Sequence, residues 1–419
     1  MQYYNAIIHQ KCSNVVKKHL KILSSNDQLK KGGRKLANLL LLPAKIITGT
    51  NALNQAGLHL KQCGSKALIV TDKMMLEIGS VQRLINIMQE NSIDFKVFAE
   101  VNAEPTEQIV NQGVDTYRQH DCDFLVAIGG GSPIDAMKAI GALVAHQGAL
   151  ADYMGKEFSR TLPRMVAIPT TAGTGSEATQ FTIISNTRTN VKMLLKGAVL
   201  IPALAIVDPI LTVSAPPNVV AATGLDALTH AIEAYTSKKA QPLSDTFALS
   251  ACQRIFENLR KSYYDSEDLS AKEQMSLASL EAGIAFNNAS VTLVHGMSRP
   301  IGALFHVPHG ISNAILLKDC LAFAKEGAPR RFADIARAAG FSRGNDDDQQ
   351  AAEQVVTEVE KLCKDLRIPN LEEFGVDRQE FFQNINKMTA DALQSGSPQN
   401  TRRGVDTAEI IAIYKKLWA

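Results

Sequence analysis

Residues 124–145 read FLVAIGGGSPIDAMKAIGALVA, an unbroken apolar run that stops at three glycines and gives way to helical periodicity. A run without polar alternation is the mark of a strand buried on both faces, as in a parallel sheet. The helix after it is predicted to open at Ser132, with Pro133 in the first helical position. Ser132 and Asp135 have the spacing of an N-cap and an N3 acid. Gly129, Gly130 and Gly131 carry no side chains, so a ligand can approach the main chain closely. The free N–H groups and positive dipole end of the helix favour an anion there, most simply a pyrophosphate. The alternative is a tight strand-to-helix turn with no ligand.

Outward from this unit the chain alternates. AKIITG (44–49) and KALIVTD (66–72) read as strands, a helix is predicted over Met75–Glu90, and FKVFAEV (95–101) as a strand. A helix over Thr106–His120 precedes the glycine strand, and RMVAIPTT and LAIVDPIL add further strands. Strand–helix alternation of this kind implies a parallel sheet with helices on both faces. After Ala215-Pro216-Pro217 the strand signals vanish and long apolar periodicities of helical type run to the end. At 419 residues the chain exceeds what one hydrophobic core organises. We therefore expect a nucleotide-binding α/β domain over 39–216 and an all-α domain over 217–419.

Residues 1–38 are set apart by composition. Eight Lys or Arg accompany a single acid, Asp27, and apolar residues from Tyr4 to Leu20 recur at roughly helical spacing. This basic extension reads as an amphipathic surface helix, with a targeting or partner-binding segment as the alternative. The whole chain is 45% apolar and 21% charged with a formal net charge of +2. That balance argues neither for a nucleic-acid partner, and none is expected, nor for a strongly steered anionic substrate. No apolar run reaches the roughly 18 residues that span a bilayer, so no membrane association is expected. Six cysteines without a CxxC pair suit a reducing compartment, and a cytoplasmic protein is expected.

The acid that would receive the ribose hydroxyls of a dinucleotide is Asp72, at the end of an earlier strand. The usual fingerprint is G-x-G-x-x-G with the acid about 20 residues later. Here the acid precedes the glycines, so the strand order differs from the usual one. A carboxylate at that place repels a 2′-phosphate and favours NAD over NADP. A turn or cap residue is the other reading of Asp72. IPTTAGTGSEAT (168–179) is a second flexible stretch after a strand, offering the hydroxyls of Thr170, Thr171 and Thr174. By itself it is equally consistent with a loop that hydrogen-bonds to itself.

Asp226 and His230 are four residues apart in TGLDALTHAIEAY, which puts both side chains on one face of a helix. Burying such a pair is costly unless the two bond to each other or to a metal. Three of the nine histidines, His295, His306 and His309, lie in VTLVHGMSRPIGALFHVPHG (291–310) together with Arg299. Pro300 and Pro308 separate His295 from His309, so these two sit on different segments that can converge. One carboxylate and three imidazoles suit a divalent first-row ion, iron(II) or zinc.

GLDALTHAIEAY, VHGMSRPIGALFHVPHG, GGGSPIDAMKAI and IPTTAGTGSE together resemble the signatures of the iron-containing alcohol dehydrogenases, over about residues 40–419. The resemblance implies a Rossmann-like domain followed by a helical one, the dehydroquinate synthase-like architecture, with cofactor and metal in the cleft between. It implies Asp226, His230, His295 and His309 as metal ligands. Asp72, Gly129, Gly130, Gly131, Ser132, Asp135, Thr170, Thr171 and Thr174 would hold NAD, with Lys192 near the cofactor. The implied activity is reversible hydride transfer between NAD(H) and a metal-bound small alcohol or its aldehyde, in a homodimer or larger homo-oligomer. Competing readings are a lyase of the dehydroquinate synthase type and a binding protein without chemistry.

Two departures stand out. Residues 102–106 read NAEPT where many members have Asn-Pro-Thr, which introduces Glu104 near the nucleotide. Arg299 stands where many members have a histidine beside the substrate. An arginine keeps its proton and cannot shuttle one, but it pairs with carboxylate, phosphate or sulfonate. Arg299 is therefore expected to shape the pocket for an anionic or strongly polar substrate tail, or else to cap nearby carbonyls. His306 is expected either on a proton path beside the nicotinamide or as a structural neighbour.

Overall fold

Among the described residues the first half of the chain holds eight strands interleaved with helices, and every pairing in the main sheet is parallel. The computed structural model describes residues 37–102, 104–189, 191–344 and 346–418. The amphipathic helix expected near the N-terminus lies outside the described residues. In chain order the elements are β1 (Lys45–Thr48), α1 (Gly57–Lys61), β2 (Lys66–Val70), α2 (Lys73–Glu77), α3 (Ser80–Glu90) and β3 (Asp94–Phe98). Next come α4 (Glu107–Gln119), β4 (Phe124–Gly129), α5 (Gly131–Ala145), β5 (Arg164–Pro169), β6 (Phe181–Asn186), β7 (Val191–Lys196) and β8 (Leu204–Val207).

The six-stranded sheet has the order β1-β8-β5-β4-β2-β3. Its strands read as continuous apolar runs because both faces are covered. Leu68, Val70, Leu125 and Ala127 pack into one core, whereas Ala67, Ile69, Phe124, Val126 and Ile128 pack into the other. The period of two thus sorts alternate residues between two helical layers. Leaving β2 the chain moves outward to β3, and leaving β4 it moves the other way to β5. The crevice outside the carboxyl ends of β2 and β4 is the topological switch point, where ligands of open α/β sheets bind.

Three expectations need correction. The helix expected over Met75–Glu90 is two helices, α2 and α3, parted by Gly79 in the left-handed region (φ 82°). Helix α5 begins at Gly131 with Gly130 as its cap and no side-chain capping bond, so Ser132 and Asp135 form no capping box. Asp135 lies farther along the helix, where its Oδ2 accepts from the Ile183 amide at 3.0 Å. That amide belongs to the β6–β7 hairpin, a two-stranded antiparallel sheet that strand-by-strand reading did not identify.

Beyond Pro217 every regular element among the described residues is helical. They are α6 (Pro217–Thr236), α7 (Pro242–Tyr264), α8 (Leu269–Ala289), α9 (Leu293–Phe305), α10 (His309–Ala324), α11 (Pro329–Ala338), α12 (Asp348–Asp365), α13 (Arg378–Gln394) and α14 (Thr407–Lys416). Pro217 occupies the first position of α6, where its missing N–H is harmless. From Gly224 to Thr236 every residue of α6 is buried, so its polar side chains must find partners inside the protein. Leu40–Ala419 is one compact unit. The helical layer meets the Thr-rich loop main chain to main chain: a Cβ on Gly175 (φ 61°) would lie 2.5 Å from Gly283 Cα of α8. Among the described residues no helix is long and apolar enough to cross a membrane.

Candidate metal centre and cofactor cradle

Asp226 and His230 project from the buried helix α6, His295 from the first turn of α9, and His309 from the first residue of α10. Asp226, His230 and His295 offer ligand atoms all within 4.8 Å of one another. His309 closes the set from the cleft side. Its Nε2 is 3.7 Å from Asp226 Oδ1, and its side chain is 41% exposed against 4% for Asp226. The two segments expected to converge do so because α9 ends at His306 in the left-handed region (φ 56°) and Pro308 then starts α10.

The donor chemistry fits a divalent cation. Acceptor atoms converge here with too few donors to satisfy them. The Asn313 amide nitrogen is shared among Asp226 Oδ1 at 2.7 Å, His295 Nε2 at 3.2 Å and His309 Nε2 at 3.2 Å. His230 Nδ1 is buried with no hydrogen-bond partner, a costly state that a cation relieves. Burial works to raise the Asp226 pKa, but the imidazoles, His230 foremost, hold it well below the carboxylate range. Burial pushes His230 down to about 3 and lowers His309 as well. An ionised Asp226 beside neutral His230 and His309 is the ligand state a metal requires, whereas at His295 burial is outweighed by Glu233 and Asp226, which raise its pKa.

Glu233 was not singled out from the sequence. Its Oε2 accepts a hydrogen bond from His295 Nδ1 at 2.6 Å, and its Oε1 accepts from Thr292 Oγ1 at 2.8 Å and the Val294 amide at 2.6 Å. These bonds overcome the effect of burial and keep its pKa low. With Nδ1 bound to Glu233, His295 presents Nε2 to Asp226 at 3.5 Å. A carboxylate behind a ligating imidazole fixes its tautomer and strengthens it as a ligand. The signal was present in the sequence: Glu233 is seven residues from Asp226 on a helix apolar on every side. Asn313, four residues after His309, was missed likewise.

The cofactor residues collect at the switch point. Asp72 follows β2, and its Oδ1 accepts from the Met75 amide at 3.0 Å, so it does cap α2. Its Oδ2 faces the glycine turn, 3.4 Å from where a Cβ on Gly129 would stand. The cap thus accounts for only one carboxylate oxygen. A Cβ on Gly131 would strike Thr174 Cγ2 at 2.9 Å, and one on Gly130 would meet only Thr171 at 3.7 Å. The Thr-rich loop therefore walls the turn that opens α5. Thr170 is buried and donates its amide to the Gly129 carbonyl at 2.9 Å. These main-chain amides, threonine hydroxyls and one carboxylate suit a dinucleotide.

Beneath that loop lies a fully buried lysine. Lys138 Nζ donates to the Thr179 carbonyl at 2.8 Å, Thr179 Oγ1 at 3.0 Å and the Phe181 carbonyl at 2.9 Å. Burial lowers its pKa to about 8, and raises Asp135 to about 6 and Glu177 to about 7. Glu177 Oε2 has no hydrogen-bond partner. Lys192, on the hairpin, pairs with Glu104 at 2.5 Å, so the unusual loop acid engages the expected cofactor-side lysine. His306 is exposed at the end of α9 and bonds to none of the cluster residues.

Residues 43–209 match the family described as iron-containing alcohol dehydrogenase, and residues 220–418 match its C-terminal family. The chain is 38% identical over 381 residues to the 1,3-propanediol dehydrogenase of Citrobacter freundii, covering 90% of this chain and 97% of that one. It is 37% identical over 383 residues to the NAD-dependent methanol dehydrogenase of Bacillus methanolicus, covering 91% and 99%. A crystal structure of 1,3-propanediol oxidoreductase superposes with a TM-score of 0.88 at 37% identity, covering 91% of this chain and all of that one. The chain belongs to the iron-containing alcohol dehydrogenase family, and it is an NAD-dependent alcohol dehydrogenase.

Proposed function

We propose that Asp226, His230, His295 and His309 hold one divalent metal, iron(II) in the first place and zinc as the alternative, and that this centre serves hydride transfer to NAD. The reading rests on one observation: four ligand-type side chains from three helices converge beside an Asn313 amide that cannot satisfy them all. A metal so held acts as a Lewis acid toward an alcohol or carbonyl oxygen. The chain's own groups do the positioning. Glu233 orients His295; Gly130, Gly131, Thr171 and Thr174 seat the pyrophosphate; the free oxygen of Asp72 receives the ribose and disfavours NADP. In oxidation the alcohol carbon gives a hydride to the nicotinamide and the hydroxyl gives its proton to solvent, leaving the aldehyde, NADH and H⁺. No side-chain nucleophile is required, and His306 is a structural neighbour.

A homo-oligomer remains our reading as well, supported by the exposed Leu58, Met74 and Ile78 on and just after the short helices α1 and α2. The test of the main reading is NADH formation from a panel of primary alcohols. Protein stripped with a chelator loses it and regains it with iron(II) or zinc. Metal-replete protein that binds NAD yet oxidises no alcohol and reduces no aldehyde overturns the reading.

A further inference from the structure

Two cations act on the cleft-side ligand His309, Arg299 and Lys192, both pushing its pKa down. Their situations differ. Lys192 is neutralised by Glu104. Arg299 is half-buried, one helical turn after His295 on α9, and forms no ion pair among the described residues. Its one hydrogen bond runs from Nη1 to Ser397 Oγ at 3.2 Å, leaving the other N–H groups of the fork uncommitted. The carbonyl-capping role that the sequence left open is not what the structure shows. Glu233 is the acid that acts on Arg299 electrostatically, but its oxygens are taken by Thr292, Val294 and His295.

A guanidinium drawn partly out of water without a counter-ion is unfavourable, and burial already lowers the Arg299 pKa. Ser397 fixes it from behind. The segment that carries Ser397 packs against α9 closely enough that a Cβ on Gly296 would meet Pro398 at 2.7 Å. The arginine is therefore a fixed, unpaired anion receptor beside the metal ligands.

We infer that Arg299 binds the anionic end of the substrate, and that the preferred substrate is a short alcohol or aldehyde ending in a monoanion, carboxylate or sulfonate. This rests on the reading of the cluster as the hydride-transfer centre. The Cβ atoms of His295 and Arg299 are about 5–6 Å apart on their helix. An anionic group roughly two to four carbons from the reacting carbon therefore reaches the guanidinium. A single arginine matches one charge, so a monoanion is preferred over a phosphate dianion, whose second charge finds no partner there. The chemistry is the oxidation already described, with the anion unchanged: hydroxy acid and NAD⁺ give oxo acid, NADH and H⁺.

The experiment compares 3-hydroxypropanoate and 4-hydroxybutanoate with 1-butanol and 1-pentanol, and a hydroxyalkane sulfonate of matching length, on the metal-loaded enzyme. The wild type favours the anionic substrates in kcat/KM. Arg299→Gln lowers the anionic-to-neutral ratio by about 10- to 100-fold, the range of a charge-assisted hydrogen-bonded contact, and Arg299→Lys retains part of it. Calorimetric titration of butanoate and propanesulfonate into the NAD-loaded protein shows binding that Arg299→Gln removes. A carboxylate-only or sulfonate-only preference identifies which monoanion is meant. An unchanged ratio in Arg299→Gln, or tighter handling of a phosphorylated alcohol than of either monoanion, overturns the inference. Failure to oxidise any alcohol sinks the hydride-transfer reading instead, and the titration then still tests Arg299.

Discussion

Glu233 Oε2 and His295 Nδ1 are 2.6 Å apart, both fully enclosed by protein. The bond sets which imidazole nitrogen faces Asp226. Glu233→Gln keeps the shape but removes the charge, and metal affinity is expected to fall about 10- to 100-fold. Metal content after dialysis against a graded chelator series measures this. Retention equal to the wild type contradicts the orienting role.

Gly130 separates folding from cofactor binding. A Cβ there meets nothing closer than Thr171 at 3.7 Å, and its φ of −71° suits any residue. Gly130→Ala is therefore expected to fold, with a loss of about 1 kcal/mol or less at the helix cap. On the proposed seating of the cofactor the methyl group would project toward the pyrophosphate, so the dissociation constant for NAD is expected to rise at least about tenfold. Unaltered NAD binding places the phosphates elsewhere.

Asp72 has a capping duty and a proposed contact with the ribose, which two substitutions distinguish. Asparagine caps helices as well as aspartate does, so Asp72→Asn keeps the Met75 bond while losing the carboxylate. NAD affinity falls and the preference over NADP shrinks, with the melting temperature close to that of the wild type. Asp72→Ala adds a cap loss of about 1 kcal/mol. If Asp72→Asn leaves the NAD-to-NADP ratio as it was, Asp72 is a cap and nothing more.

The buried Glu177 predicts a pH effect. Its folded pKa is raised to about 7, so its neutral form contributes stability that is complete below the unfolded value and lost as pH rises through 7. Glu177→Gln lacks this titration. Its stability relative to the wild type should grow between pH 4.5 and 7, by on the order of 1–3 kcal/mol. Burial lowers Lys138 to about 8 against the raising effect of the Asp135 and Glu177 charges, so the substitution lowers it further, and the comparison stops at pH 7, below that titration. Urea unfolding at the two ends of that range provides the comparison, and a difference of the opposite sign refutes it.

What could be read from residues alone followed a physical division. Strands buried on both faces are continuous apolar runs, so β2, β4 and β5 were plain. The side chains of the proposed metal centre could be singled out because Asp226 and His230 are unusual on an apolar helix. The β6–β7 hairpin escaped because its strands are half-exposed and joined by ordinary polar residues. The break at Gly79 escaped because both short helices share one run of apolar spacing. Asp135 was misplaced by one position of the helix start, which a Gly-Gly-Gly sequence does not specify. Glu233 was visible in the sequence as an acid on an apolar helix, but its role needed three dimensions, since its partners Thr292, Val294 and His295 lie at separations of 59, 61 and 62.

The contact between Gly175 and Gly283 carries a consequence for how this enzyme can diversify. Where two backbones touch, no exchange of side chains widens or narrows the gap, and a side chain at either position drives the layers apart. The cofactor wall is thus a fixed datum. On the proposed reading, variation that alters substrate choice without moving that wall is open to the turns of α9 after His295 and the segment around Ser397, where a change at position 299 alters the charge presented to the substrate.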